Sequence, residues 1–202
     1  LMQCEVSAEV RPILEDALSA LHRINRLPIT KKNKAQMITA VPIARATTNT
    51  TITMPSNTAL QQARNATMRV MWGSGRTNRA VEIVTAYVLK PHVQDFAFAT
   101  SYTNILNTRR MCLLDGAFAH DLKDNLWHFQ NVNTLKVAYL STLTRMFKKL
   151  GATINHKLDV FQGDQLKFNL LGPTKSWVQH ALRDLCRDAC CEHLAMRVIP
   201  PD

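Results

Sequence analysis

Apolar side chains recur at three- and four-residue intervals near the start of the chain: Ile13, Leu14, Ala17, Leu18, Leu21 and Ile24. That period places them on one face of a helix, predicted over about residues 11–27. Pro12 suits a first turn, Glu15 and Asp16 lie early where the helix dipole favours them, and Pro28 ends the pattern. Thr30 or Asn33 can cap a second helix carrying Met37, Ile38 and Val41, with Pro42 kinking or ending it. Residues 47–53 are five Thr, one Asn and one Ile, which read as a loop or an edge strand. Ser56 caps a third helix, in which Leu60, Ala63, Met68 and Met71 line one side up to the Gly73-Ser74-Gly75 break. Arg64 and Arg69 project away from that stripe if the helix is regular. Further helices are predicted over residues 78–89 and 95–109.

Asp115 and Gly116 mark the expected boundary between a domain of residues 1–115 and one of residues 116–202. After it, a short helix near residues 120–129 precedes a stronger one over residues 133–150, where Leu135, Tyr139, Leu143, Met146, Phe147 and Leu150 repeat. Gly151 stands where a left-handed helix terminator belongs. The period then falls to two. Ile154, Leu158, Val160 and Phe161, then Leu166, Phe168 and Leu170, flank Gln162-Gly163-Asp164-Gln165, predicting a β-hairpin within residues 152–171. Thr174 caps a final helix to Val198, with Trp177, Ala181, Leu185, Ala189 and Met196 apolar, about 36 Å long at 1.5 Å per residue. The predicted fold is therefore mainly α: a helical bundle, then a helical connector with a small β-hairpin and a long C-terminal helix. No internal repeat is present. Trp72, Trp127 and Trp177 are read as core anchors.

Charge changes this picture. The 202 residues carry 25 Lys and Arg against 15 Asp and Glu, a formal charge of +10. Between Ala17 and Val81 there is no acid, yet ten cations stand there: Arg23, Arg26, Lys31, Lys32, Lys34, Arg45, Arg64, Arg69, Arg76 and Arg79. The rest of the chain is neutral. Such a window is the electrostatic footprint of a polyanion binder, and the ten cations are the candidate nucleic-acid contacts. Two other readings share the pattern: a solvated face whose acidic partners lie elsewhere, and an anionic membrane surface. The basic helices lack the Trp- and Phe-rich face that the membrane reading requires.

Five scattered cysteines, Cys4, Cys112, Cys186, Cys190 and Cys191, do not make a disulfide framework, so a reducing nuclear or cytoplasmic compartment is expected. No apolar run approaches the roughly 18 to 20 residues of a membrane helix. Leu1 at the start and Pro200-Pro201 directly after a helical pattern suggest an excerpt of a longer reading frame.

Catalytic signatures do not occur. Gly73-Ser74-Gly75 lacks the Lys-Ser/Thr of a phosphate loop, and there is no nucleophile elbow, His-Glu-x-x-His, Cys-x-x-Cys or Asp-Asp pair. No catalytic residue is assigned. One weak metal candidate is the i, i+4 pair Cys186 and Cys190. Cys191 and His193 point elsewhere on a continuous helix, so buried inert thiols are the simpler reading, and no cofactor is assigned to this chain.

The order of these pieces resembles the C-terminal part of non-LTR retrotransposon-type reverse transcriptases, beyond the catalytic palm. The matching segments are ALSALHRINRLPITKKNKAQMITAVPIARATT, ALQQARNATMRVMWG, RAVEIVTAYVLKPHVQDFAFATSY and LGATINHKLDVFQGDQLKFNLLGPTKSWVQHALRDLCRDACCEHLAMR. The likeness extends over about residues 11–199. In two places the chain departs from the pattern: Ala44-Arg45-Ala46 replaces the usual aromatic-Gly after the proline, and the palm's Asp-Asp motif is absent.

The resemblance implies that residues 14–108 contain a helical thumb, which grips the template-primer duplex and contributes no metal ligand. Residues after Gly116 would form a connector. It further implies an RNA or DNA duplex and an upstream palm of the same polypeptide as partners, with Mg2+ only in that palm, and a chain inactive by itself. The competing expectation is a self-contained helical nucleic-acid-binding or scaffold protein without enzymatic activity.

Overall fold

A computed structural model describes residues 6–48, 55–73, 90–132 and 138–198. They form a mainly helical protein with one small antiparallel sheet and a long C-terminal helix. Two compact units are present, residues 1–100 with 190–202, and Ser101–Ala189. Among the described residues no helix is long and apolar enough to cross a membrane.

In the first unit, α1 (Val6–Arg26) begins five residues before the predicted start, so Pro12 falls in its second turn. Its Ala17, Ala20, Leu21 and Ile24 are buried, as the period requires. Thr30, not Asn33, caps α2 (Lys31–Ile38), its Oγ1 accepting from the Asn33 N–H at 3.3 Å. Pro42 does not end the helical path. A wide π turn, Thr39–Ile43, contains it and leads straight into α3 (Ala44–Thr48). Proline has no N–H to give and its ring crowds the carbonyl four residues back, so a locally widened turn keeps the chain helical.

Thr47 and Thr48 are therefore helical, contrary to the loop or strand expected of them. Thr47 is buried and its Oγ1 donates to the Ala44 carbonyl at 3.1 Å, a back-bond that satisfies the hydroxyl inside a helix. Residues 49–53 lie outside the described residues.

Ser56 caps α4 (Asn57–Trp72) through Oγ, which accepts from the Ala59 N–H at 3.2 Å. Leu60, Ala63, Val70 and Met71 are buried on its inner side. The helix stops at Gly73, whose φ of +81° is left-handed. The helix predicted over residues 78–89 lies outside the described residues. A short turn, α5 (Pro91–Gln94), precedes α6 (Phe96–Leu114), which runs five residues past its predicted end. Asp95 caps α6, its Oδ1 accepting from the N–H groups of Ala97 (2.9 Å) and Phe98 (3.4 Å).

The second unit begins within α6, where Ile105 and Cys112 are buried. Asp115 Oδ1 caps α7 (Gly116–Val132), which is longer than expected, by accepting from Ala117 (2.9 Å) and Phe118 (3.2 Å). The helix predicted over residues 133–150 is described as α8 (Ala138–Lys149), with Leu140, Leu143, Met146, Phe147 and Leu150 buried. Gly151 follows with φ +65°.

The predicted hairpin is present within a three-stranded antiparallel sheet of order β1-β2-β3: Thr153–Ile154, Asp159–Gln162 and Gln165–Asn169. Gly163 supplies the φ of +57° that the tight β2-β3 turn needs. The extra strand follows from Asn155, whose Oδ1 accepts from the Lys157 and Asp159 N–H groups, both at 2.9 Å, and folds the chain back onto β2. Ile154, Leu158, Val160, Phe168 and Leu170 are buried. Thr174 Oγ1 then accepts from the Trp177 N–H at 3.2 Å and opens α9 (Lys175–Val198).

Two of the tryptophans, Trp127 and Trp177, are not core anchors. Trp127 is 49% exposed and Trp177 45%, while Trp72 is half-buried. The buried stripes explain why. On α7 the stripe is Ala119, Leu122 and Leu126, and on α9 it is Val178, Leu182, Leu185 and Ala189; each exposed Trp stands one position off it.

Candidate nucleic-acid interface

The ten basic residues do not share one fate. Arg23 and Arg26 are exposed in the last turn of α1, and Arg69 is exposed in the last turn of α4. Lys31 and Lys32 are exposed at the start of α2, where Lys34 is half-buried and donates from Nζ to the Asn25 carbonyl at 3.1 Å. The Lys31 ammonium lies 5.9 Å from the centroid of the Trp72 ring. These two contacts tie the first turn of α2 to the C-terminal ends of both α1 and α4. Arg23, Arg26, Lys31, Lys32, Lys34 and Arg69 thus gather where three helix ends meet.

Helix dipoles sort this cluster into two kinds of cation. Arg23, Arg26 and Arg69 stand at C-terminal ends, where the partial negative charge of the last carbonyls favours them. Lys31, Lys32 and Lys34 stand at an N-terminal end with no acid in the first turn, where the dipole disfavours them. For the helix alone, those lysines carry the wrong sign. A bound anion reverses that, because phosphate is drawn both to the ammonium groups and to a helix N-terminus.

Arg45 is exposed on α3. Arg76 and Arg79 lie outside the described residues. Arg64 departs from the expectation of an outward-facing cation: its side chain is 11% exposed and its Nε donates to Asp95 Oδ2 at 2.5 Å. Its guanidinium also lies 5.8 Å from the Phe98 ring centroid. Asp95 is beyond the acid-free window and 31 positions away, so the linear charge pattern gave no sign that this cation was already matched.

Cys186 and Cys190 are both buried on α9. Among the described residues no three His, Cys, Asp or Glu side chains come together as a metal site. Cys112 is also buried, and that burial pushes its thiol above the ordinary value of 9.0 against the opposing pull of Lys123.

One residue that the sequence did not single out is Arg109. It is buried, and its Nη2 donates to the Gly172 carbonyl at 2.9 Å. Only the unbroken cationic pair Arg109-Arg110 in a helix otherwise free of charge from Phe96 to Leu114 could have drawn attention to it.

Comparison with protein families, with curated proteins and with solved structures yields no match.

Proposed function

We propose that the first unit grips the phosphate backbone of a nucleic-acid duplex, and that the chain is the thumb and connector of an RNA-directed DNA polymerase of the non-LTR retrotransposon kind. The observation that supports backbone binding is the first turn of α2: three lysines at the wrong end of a helix dipole, joined there by Arg23, Arg26 and Arg69. The polymerase setting rests on the resemblance of the segments quoted above. Phosphate contacts fix register without reading sequence, which suits a surface that must slide along the duplex it holds. On this reading the chain has no chemistry of its own, and Mg2+ belongs to a palm outside it. Neither RNA nor DNA is preferred by the cluster, since cations address phosphate in both.

The test is fluorescence anisotropy with labelled duplexes of several sequences. The triple variant Lys31→Gln/Lys32→Gln/Lys34→Gln should lose at least tenfold in affinity on every sequence equally, while its melting temperature falls by no more than a few degrees, the cost of the Lys34–Asn25 and Lys31–Trp72 contacts. Equal affinity in the variant would reject the interface. In the same preparation, labelled nucleotide should not be incorporated into a primer; incorporation that a carboxylate substitution in this chain abolishes would reject the thumb reading. Sequence upstream of Leu1 separates the polymerase from a self-contained binding protein, because only the former requires a palm with paired aspartates.

A further inference from the structure

Trp177 is a large apolar side chain that folding fixes in place without covering. Its backbone N–H donates to the Thr174 hydroxyl at 3.2 Å, and its ring packs edge-to-face on Phe168, itself 1% exposed, with centroids 6.3 Å apart. The six-membered ring lies so close to Gly172 that a Cβ there would stand 2.6 Å from Cζ3 and 2.8 Å from Cε3. Gly172 is pinned in turn: its N–H donates to the Asn169 carbonyl and its own carbonyl accepts from Arg109, both at 2.9 Å. A ring seated against a pinned backbone and a buried Phe has little rotamer freedom left to lose on meeting a ligand.

Yet 45% of the residue faces solvent. Its indole N–H, a donor only, has no hydrogen-bond partner among the described residues. A tryptophan that serves packing alone buries its ring and pairs that N–H. Here the bracing is complete and the covering is not. The surroundings indicate what completes it. Between Asp164 and Asp184 the chain holds no acid, while Lys167, Lys175 and Arg183 stand there. The nearby residues Lys175, Ser176 and His180 of α9 are exposed and polar. A protein partner that docks by apolar contact seeks a contiguous apolar patch. A single braced ring among cations instead matches the way unpaired nucleotides are held, with bases on an aromatic face and phosphates on Lys and Arg.

We propose that Trp177 is a stacking platform for a base of single-stranded nucleic acid, with Lys175 addressing the phosphate of the same strand. This rests on the reading of the chain as a nucleic-acid binder and deepens it: the α2 cluster holds a duplex by its backbone, whereas Trp177 takes an unpaired base. A duplex has little use for such a ring, because its bases are already stacked on one another. A polymerase that copies a strand must hold both forms. Stacking tolerates every sequence, since each base has a π face. The platform is separate from the α2 cluster, because Trp177, Phe168, Gly172 and Lys175 all belong to the second unit.

The test titrates the full chain with end-labelled oligothymidylate and with an abasic strand of the same length, which keeps the phosphates and lacks the bases. The parent should bind the base-bearing strand about five- to a hundredfold more tightly than the abasic one. Trp177→Ala should lose most of that preference while holding the abasic strand as the parent does, and Trp177→Phe, which keeps a ring, should retain part of it. No preference in the parent, or a full preference in Trp177→Ala, overturns the platform. If Trp177→Ala does not fold, fluorescence decides: in Trp72→Phe/Trp127→Phe, where Trp177 is the sole indole, oligothymidylate should quench the emission saturably and the abasic strand should not. Equal quenching by both strands, or none by either, overturns it.

The variant Lys31→Gln/Lys32→Gln/Lys34→Gln separates this inference from the reading beneath it. Duplex binding lost there with the preference for bases intact supports both. Undiminished duplex binding there counts against the first unit's proposed role and leaves the platform standing. Duplex binding lost there without any preference for bases in the parent leaves the first unit's role standing and overturns the platform.

Discussion

Arg64 of α4 and Asp95, the cap of α6, form a buried ion pair: Nε and Oδ2 are 2.5 Å apart, with side chains 11% and 2% exposed. Asp95 is thereby committed twice, one oxygen to Arg64 and the other to the Ala97 and Phe98 N–H groups. Removing the acid leaves a buried guanidinium whose Nη2 already lacks a partner, and uncaps a helix at the same time. Asp95→Ala should therefore cost about 3 to 5 kcal/mol in denaturant unfolding. Arg64→Met, which removes the charge but keeps the chain's bulk, should cost less, and the double variant should fall short of the sum. A loss below about 1 kcal/mol for Asp95→Ala would show that the pair is not formed in solution.

Arg69 provides the contrast. It lies five residues along the same helix and is exposed, so Arg69→Gln should leave the melting temperature within a degree or two of the parent yet weaken duplex binding. Arg64→Gln should do the reverse. If about four of the six gathered cations touch phosphates, log K should fall against log salt with a slope near −3.6, and each contacting residue replaced should reduce that slope by about 0.9. A titration of affinity against potassium chloride from about 50 to 200 mM checks both. An affinity independent of salt would rule out backbone binding.

Gly172 has room for hydrogen only. A Cβ there would lie 2.6 Å from Cζ3 of Trp177 and 3.0 Å from the Asn169 carbonyl oxygen. Trp177 packs edge-to-face on Phe168 with centroids 6.3 Å apart, so its ring is braced although half of it is exposed. Gly172→Ala should destabilise the chain by about 1 to 3 kcal/mol, as overpacking does. Adding Trp177→Ala should recover part of that loss but not all, since the backbone carbonyl remains. Chemical denaturation of the three variants against the parent measures the recovery.

The Tyr139 hydroxyl shares a hydrogen bond with the Thr108 hydroxyl across α8 and α6. Burial pushes its pKa above the ordinary 10.0, against the opposing effect of that bond. Because the folded value is the higher one, the stability this group contributes is intact below about pH 10 and is lost as pH rises through the folded value. The melting temperature of Tyr139→Phe should therefore decline less steeply than the parent's between about pH 9 and 11. Parallel curves would show that Tyr139 ionises without consequence for the fold.

Local rules made much of the secondary structure legible. Apolar positions at helical spacing placed the buried residues of α1 and α8, Ser56, Thr30 and Thr174 marked helix starts, and a period of two flanking Gly163 marked the β2-β3 hairpin. Each depends on groups within about four residues of one another, which is the range over which sequence spacing and physical contact coincide. The gathering of Arg23, Arg26 and Lys31 was partly legible for the same reason, since only the short turn around Pro28 separates α1 from α2.

What tertiary structure alone decided involves partners distant in sequence. Whether Arg64 is a surface cation or half of a buried pair depends on Asp95, 31 positions on, and Arg109 meets Gly172 across 63 positions. By itself Pro42 can kink or end a helix; packing of the π turn and α3 against α1 decides that the helical path does not end there. Trp127 and Trp177 sit one residue off the buried stripes of their helices, and composition cannot say which way a helix is rotated by a single position. A charge or an aromatic ring is a property of the residue, whereas its burial and its counter-charge belong to the neighbours that folding brings to it.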